Sequence, residues 1–135
     1  MLNTLTDFKR CVFVYGTLRK GEERDINRLQ PSPVFICLGK ISGTLYDLGS
    51  YPGMRLGGLN WVHGEIYQIT PELERQLDEI EEVWPLQSGE YVRREVAVQS
   101  AEAVFHCLVY EVAEVRTFYR AVINSGDWVK RGMTS

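Results

Sequence analysis

The sequence reads as an α+β protein built on a strongly curved sheet or a small barrel. Three observations carry this reading. Strand-like segments dominate, about six against two or three helical ones, and the helices do not alternate regularly with the strands. Gly43, Gly57, Gly58 and Gly64 lie within or beside strand segments, which suits a bent sheet better than a flat one.

In chain order, Cys11-Val12-Phe13-Val14 is a β-branched and aromatic run ending in Tyr15-Gly16, a buried strand that opens into a loop. Arg24 to Leu29 suits a short helix. Val34 to Lys40 follows Pro31 and Pro33 with strand composition, and Ile41 to Leu48 continues it, with Gly43 at a bend or bulge. Tyr51-Pro52-Gly53 and Gly57-Gly58 are turn signals, after which Trp61 to Ile69 resumes as a strand. Thr70-Pro71-Glu72 combines a hydroxyl at the N-cap, proline at the first helical position and an acid at the positive end of the dipole. The helix it starts is expected to run to about Val83, with Leu73, Leu77, Ile80 and Trp84 as its apolar stripe and Pro85 as its stop. Tyr91 to Val98 and Val104 to Val112 read as two paired strands, and Arg116 to Ile123 as a last short helix.

The 135 residues fit one domain, 1–135, with 1–10 as an N-terminal tail. A net charge of -3 and a pI near 5.4 disfavour a dedicated nucleic-acid binder, which needs a basic field. The apolar runs Cys11 to Tyr15 and Val34 to Leu38 are far shorter than the roughly 20 residues that span a bilayer, so no membrane helix is expected. Neither is a signal peptide. The three widely spaced cysteines, Cys11, Cys37 and Cys107, read as reduced, buried thiols of a cytoplasmic protein. His63 and His106 are not at metal-ligand spacing, and no metal site is expected.

Three places can hold chemistry. At Tyr15-Gly16-Thr17-Leu18 the chain either makes a tight turn or points successive amides at one spot, a nest for an anionic oxygen, with Arg19 and Lys20 adding positive charge to its mouth or standing in solvent. On the Pro71 helix, Glu72, Asp78, Glu79 and Glu82 project away from the stripe as surface charges, whereas Glu81 and Glu74 border it. Glu81 is either a boundary residue with its head in water or a carboxyl looking into a partly dry cavity, where burial would raise its pKa and fit it to move protons. In Glu90-Tyr91-Val92-Arg93-Arg94, Tyr91 and Arg93 share one face of a strand, lining a polar pocket or lying at an exposed edge. No serine or cysteine stands in a nucleophile-elbow pattern, so no covalent intermediate is expected.

Taken together, Val12-Phe13-Val14-Tyr15-Gly16-Thr17-Leu18-Arg19-Lys20-Gly21, Tyr51-Pro52-Gly53, Gly64-Glu65-Ile66-Tyr67, Leu77-Asp78-Glu79-Ile80-Glu81 and Tyr91-Val92-Arg93 resemble the γ-glutamylcyclotransferase-like family. The resemblance covers roughly residues 12 to 110, and Ser125-Gly126-Asp127-Trp128 is similar to the ending of a small bacterial branch. It implies a compact mixed β-barrel with a few helices. It also implies release of 5-oxoproline from a small γ-glutamyl substrate, without a cofactor. On the same resemblance the backbone of Tyr15, Gly16, Thr17 and Leu18 holds the glutamyl moiety, Glu81 is the general acid and base, Tyr91 lies near the pocket, and Arg93 orients it or balances charge. Glu90, directly before Tyr91, is a second carboxylate able to carry the proton. The rival reading is a non-catalytic binding protein for a small anionic metabolite.

Overall fold

The computed structural model describes residues 10–83 and 87–131. Five strands form a closed barrel in the order β1-β3-β2-β4-β5. They are β1 (Arg10–Val14), β2 (Val34–Asp47), β3 (Pro52–Ile69), β4 (Tyr91–Gln99) and β5 (Val104–Val112), with one α-helix, α1 (Pro71–Ile80), between β3 and β4. Single 3₁₀ turns cover Ile26–Arg28, Glu114–Thr117 and Trp128–Lys130. Neighbouring strands run antiparallel except at the seam, where β1 lies parallel to β5 through Cys11↔Cys107 and Val12↔Leu108.

Alternation along β1 sorts the apolar residues into two cores. Phe13 and Tyr15 join Ile41, Met54, Val98 and Val109, a cluster with members from all five strands that fills the barrel. Val12 and Val14 point outward and are covered by Leu73 and Leu77 of α1, together with Ile26 and Leu108. Leu73 and Leu77 are fully buried there. This is why β1 and the end of β3 are buried on both faces. At Gly64 the strands come so close that a Cβ would strike the Val14 carbonyl and the Phe13 ring.

The expected elements are recovered with several corrections, one being that the expected short helix Arg24 to Leu29 is only the 3₁₀ turn Ile26–Arg28. Gly57-Gly58 does not separate two strands: β3 runs unbroken, and the register against β2 jumps from Ser42↔Trp61 to Gly43↔Leu56. The residues between protrude, with Gly57 and Gly58 left-handed (φ 93° and 94°) and Leu59 fully exposed. The segments Val34–Lys40 and Ile41–Leu48 form one strand, β2, which leaves five barrel strands where about six are expected from the sequence. The helix begins as expected, the Thr70 hydroxyl accepting from the Leu73 amide at 3.1 Å, but it ends at Ile80. Glu82 turns left-handed (φ 56°) and the Val83 amide reaches back to the Asp78 carbonyl at 2.9 Å, a six-to-one closure that stops the helix before Val83. Trp84 and Pro85 lie outside the described residues, as do residues 1–9 of the expected tail.

Asp78 is not a surface charge. It is 6% exposed, accepts from the Tyr110 hydroxyl at 2.7 Å and pairs with Arg93. The expected last helix is absent: only Glu114–Thr117 forms a turn, and the chain beyond it lies against β2, with the Ile123 amide on the Leu45 carbonyl (2.8 Å) and a bridge from Val122 to Tyr46. Of the thiols, Cys107 is buried while Cys11 and Cys37 are half-buried, and all three are free. No helix among the described residues is long and apolar enough to cross a membrane.

Candidate active site

One end of the barrel opens into a cavity of about 220 Å³. Four parts of the chain line it: the loop leaving β1 (Tyr15 to Leu18), the entry to β3 (Ser50 to Pro52), the end of α1 (Ile80 to Glu82) and the start of β4 (Glu90, Tyr91). Tyr110 of β5 lies below, and Glu23 and Arg24 stand at the rim.

The loop is shaped by contacts behind it. A Cβ on Gly16 would meet the Pro52 ring at 2.7 Å, so only glycine lets the loop lie against the entry to β3. The carbonyls of Gly16, Thr17 and Leu18 accept from the amides of Arg19 (3.0 Å), Arg24 (2.8 Å) and Ile26 (2.8 Å). The amides of Gly16, Thr17 and Leu18 themselves donate to no acceptor among the described residues. A row of unpaired donors beside a cavity is a nest for a carboxylate or an oxyanion.

Arg19 anchors this loop from inside, contrary to both expectations, that it lies at the mouth or that it stands in solvent. It is 6% exposed, with Nε on Glu65 Oε2 (3.0 Å) and Nη1 on Asp127 Oδ1 (2.6 Å). Glu65 also accepts from the Lys20 amide (3.0 Å) and the Tyr67 hydroxyl (2.8 Å). Burial outweighs exposure here because each charge finds an opposite charge and directed donors. The Lys20 side chain stays exposed and, like Arg19, does not line the cavity.

Glu81 caps α1 and faces the cavity. Its carboxyl accepts no hydrogen bond from a described residue. Burial pushes its pKa up to about 7; Arg24 pulls it down, and the charges of Glu90 and Glu82 push it up further. It is therefore close to half ionised at neutrality, the condition in which a carboxyl both takes and returns a proton. Glu90 lines the same cavity, but its carboxylate is engaged by the Tyr51 hydroxyl at 2.6 Å. Glu74, on the same helix edge as Glu81 by sequence, is turned elsewhere, toward Arg10 (2.9 Å) and Arg93.

The tyrosines are walls with committed hydroxyls. Tyr15 donates to the Tyr110 carbonyl (2.7 Å) and accepts from the Met54 amide (3.2 Å), and Tyr91 donates to the Pro52 carbonyl (2.7 Å). Burial raises both phenols well above their ordinary range, so they stay protonated. The structure thus brings Tyr15, Gly16, Thr17, Leu18, Glu81 and Tyr91 around one cavity. Arg93 is not among the lining residues: its guanidinium joins Asp78 and Glu74, fastening α1 to β4.

Sequence reasoning missed Arg24 and Tyr51 at this cavity; Glu82 is exposed as expected and also lines it. Their signal is their nearness in sequence to Leu18, Pro52 and Glu81. Among the described residues no group of three or more His, Cys, Asp and Glu side chains is placed to hold a metal ion.

A sequence model described as "Gamma-glutamyl cyclotransferase, AIG2-like" matches residues 12–130. A Vibrio cholerae protein provisionally named a gamma-glutamylcyclotransferase is 38% identical over 127 residues, spanning 91% of this chain and 98% of its own length. The gamma-L-glutamyl-butirosin B gamma-glutamyl cyclotransferase of Niallia circulans is 38% identical over 76 residues, covering 56% of this chain and 47% of that protein. The crystal structure of an AIG2-like protein from Mus musculus superposes with a TM-score of 0.70 at 26% identity, over 84% of each chain. With a family match over nearly all of the barrel, and a relative aligned along almost its whole length, the chain belongs to the gamma-glutamyl cyclotransferase, AIG2-like family.

Proposed function

We propose that the protein is a γ-glutamyl cyclotransferase acting on a small γ-glutamyl amide. The α-amine of the γ-glutamyl group attacks its own γ-carbonyl, a lactam C–N bond forms, and the amide C–N bond to the departing amine breaks. Of the three protons on the starting ammonium, one stays on the lactam nitrogen and two end on the departing amine. The products are 5-oxoproline and an ammonium. Because the ring closure is intramolecular, the protein's work is to hold the reactive conformer and to move protons.

The observation that carries this reading is one small cavity holding both Glu81, a carboxyl with a pKa of about 7, and the backbone amides of Gly16, Thr17 and Leu18, none of which has a hydrogen-bond partner among the described residues. The amides take the substrate carboxylate or the oxyanion that develops on the γ-carbonyl. Glu81 takes the proton from the attacking nitrogen and hands it to the leaving one. Glu90, held by Tyr51, is the poorer shuttle. Arg93 acts at one remove, keeping α1 and therefore Glu81 in place. The chemistry calls on no cofactor, and the three free thiols fit a reducing cytoplasm.

The test is 5-oxoproline release from a panel of γ-glutamyl amides by the protein and by Glu81→Gln. Loss of about 100-fold or more in kcat, with the circular dichroism unchanged, is expected for the variant. Equal rates would remove Glu81 from the mechanism. Binding without turnover by the unaltered protein would make it a receptor for γ-glutamyl compounds.

A further inference from the structure

All three thiols of the chain gather inside the barrel, away from the cavity. Alternation along β1 turns Cys11 to the same side as Phe13 and Tyr15, and alternation along β5 does the same for Cys107 with Val109. Cys37 of β2, opposite Ile66 of β3, packs against the same core. None of the three lines the cavity.

Cys11 and Cys107 are register partners across the parallel seam of β1 and β5. Neighbouring strands lie about 4.8 Å apart, inside the window of roughly 4.4–6.8 Å between Cα atoms that a disulfide spans. The two thiols are within hydrogen-bonding reach of each other, and Cys37 is near enough for its charge to bear on both. Cys11 is half-buried, whereas Cys107 is 1% exposed and donates to the Phe105 carbonyl at 3.7 Å. Burial raises Cys11 and pushes Cys107 up to about 12, so Cys107 meets dissolved reagents neither as a thiolate nor at an open surface. Its one route to oxidation is the sulfur beside it.

We propose that Cys11 and Cys107 are a modification site for hydroperoxides, at which the two thiols close a disulfide that staples the β1–β5 seam. The hydroperoxide meets Cys11, the more accessible member. Cys11 Sγ gives up its proton and attacks the terminal peroxide oxygen, the O–O bond breaks, water or an alcohol leaves, and a sulfenic acid remains on Cys11. Cys107 Sγ then attacks Cys11 Sγ, the S–O bond breaks, and the hydroxide departs with the Cys107 proton as water. Two thiols are oxidised and one hydroperoxide is reduced. Cys37 stays a thiol, because β3 lies between β2 and β1. The seam has two register pairs where β1 and β3 share five, and the new bond closes a loop of roughly 100 residues, a length at which a crosslink strongly restricts the unfolded chain.

The experiment needs no substrate, so its outcome stands apart from the cyclotransferase reading. The whole protein is exposed to hydrogen peroxide, unfolded with N-ethylmaleimide to block free thiols, and digested with trypsin, whose sites at Arg19, Arg28, Lys40 and Arg94 separate the three cysteines. Mass spectrometry should find one crosslinked pair of peptides carrying Cys11 and Cys107, with Cys37 alkylated. On a non-reducing gel the protein should remain a single chain. The oxidised form should melt about 5 °C or more above the reduced form, and dithiothreitol should restore the starting value. Cys37→Ser should form the bond at the parent's rate. In Cys11→Ser, Cys107 should stay alkylatable after the same exposure.

Three alkylated cysteines after peroxide, sulfinic acid on Cys11 without a crosslink, a bond that includes Cys37, or a bond between chains overturns the proposal. A Cys11–Cys107 bond that lowers the melting temperature overturns the staple. Should Cys11→Ser fail to fold, the peptide maps of the parent and of Cys37→Ser decide the matter by themselves.

Discussion

Arg19 and Asp127 stand 108 positions apart in the chain and meet at 2.6 Å inside the protein. With Glu65 they form a buried three-membered ion cluster directly behind the loop that offers its amides to the cavity. Arg19→Ala leaves two buried carboxylates without their cation, and a loss of about 3–5 kcal/mol in urea unfolding is expected. Lys20→Ala, which keeps the backbone amide that Glu65 uses, should change stability by less than about 0.5 kcal/mol.

Gly16→Ala separates loop shape from loop stability. Its methyl group would lie 2.7 Å from the Pro52 ring, so either the loop or the entry to β3 moves. Displacement by a few tenths of an ångström spoils donors that must be aimed at one oxygen. A drop of about tenfold or more in kcat, larger than the accompanying change in Tm would explain, is the expected result.

The acid side of the pH–rate profile should follow Glu81 ionising near pH 7, activity rising as pH rises through that value. Its neighbours move it in opposite directions. Glu90→Gln removes a negative charge and shifts the limb to lower pH, whereas Arg24→Gln removes a positive charge and shifts it higher. Shifts of the same sign in both variants would show that another group controls the limb.

Glu81 also weakens the fold that holds it. Its folded pKa, about 7, lies above the ordinary value of 4.5, so between these values the folded protein keeps a proton that the unfolded chain has released. Stability from this group therefore falls as pH rises through that window, and the full penalty applies above it. Glu81→Gln should raise stability at pH 8 by on the order of 1 kcal/mol, discounted for the partial exposure of the side chain, and leave it unchanged at pH 4. Melting curves of both proteins at the two pH values check this.

Arg93 is expected to act through α1. Arg93→Ala frees Glu74 and Asp78 from their shared partner, and kcat should fall together with Tm. Arg93→Lys should restore only part of either, because one ammonium cannot reproduce a fork between two carboxylates. A variant that loses affinity for substrate with Tm and kcat intact would put Arg93 in contact with the ligand instead.

What could be read from the sequence was local. The start of α1 is written in Thr70 and Pro71, and the hydroxyl cap is found where those residues put it. The strand-to-loop change at Tyr15-Gly16 is equally plain, since a β-branched run ends on a residue that tolerates close approach. Glu81 could be placed on an edge by helical spacing, though its partial burial depends on the cavity that distant segments complete. The misreadings share one cause, that partners distant in sequence decide burial. Asp78 looks like surface until Arg93 and Tyr110 arrive from β4 and β5. Arg19 looks like a solvated cation until Glu65 and Asp127 enclose it. Gly57-Gly58 resembles a hairpin turn because a protrusion within one long strand needs the same left-handed backbone.

The parallel seam between β1 and β5 sets an order of events during synthesis. β1 emerges from the ribosome early, yet one of its two edges has no partner until β5 has followed, and the Arg19 cluster is incomplete until Asp127 is out. An antiparallel β2–β3 pair can form as soon as its residues appear, but the ring cannot close on a nascent chain that lacks its last third. Until then the Gly16 loop lacks part of its backing, because Arg19 has only Glu65 of its two carboxylate partners.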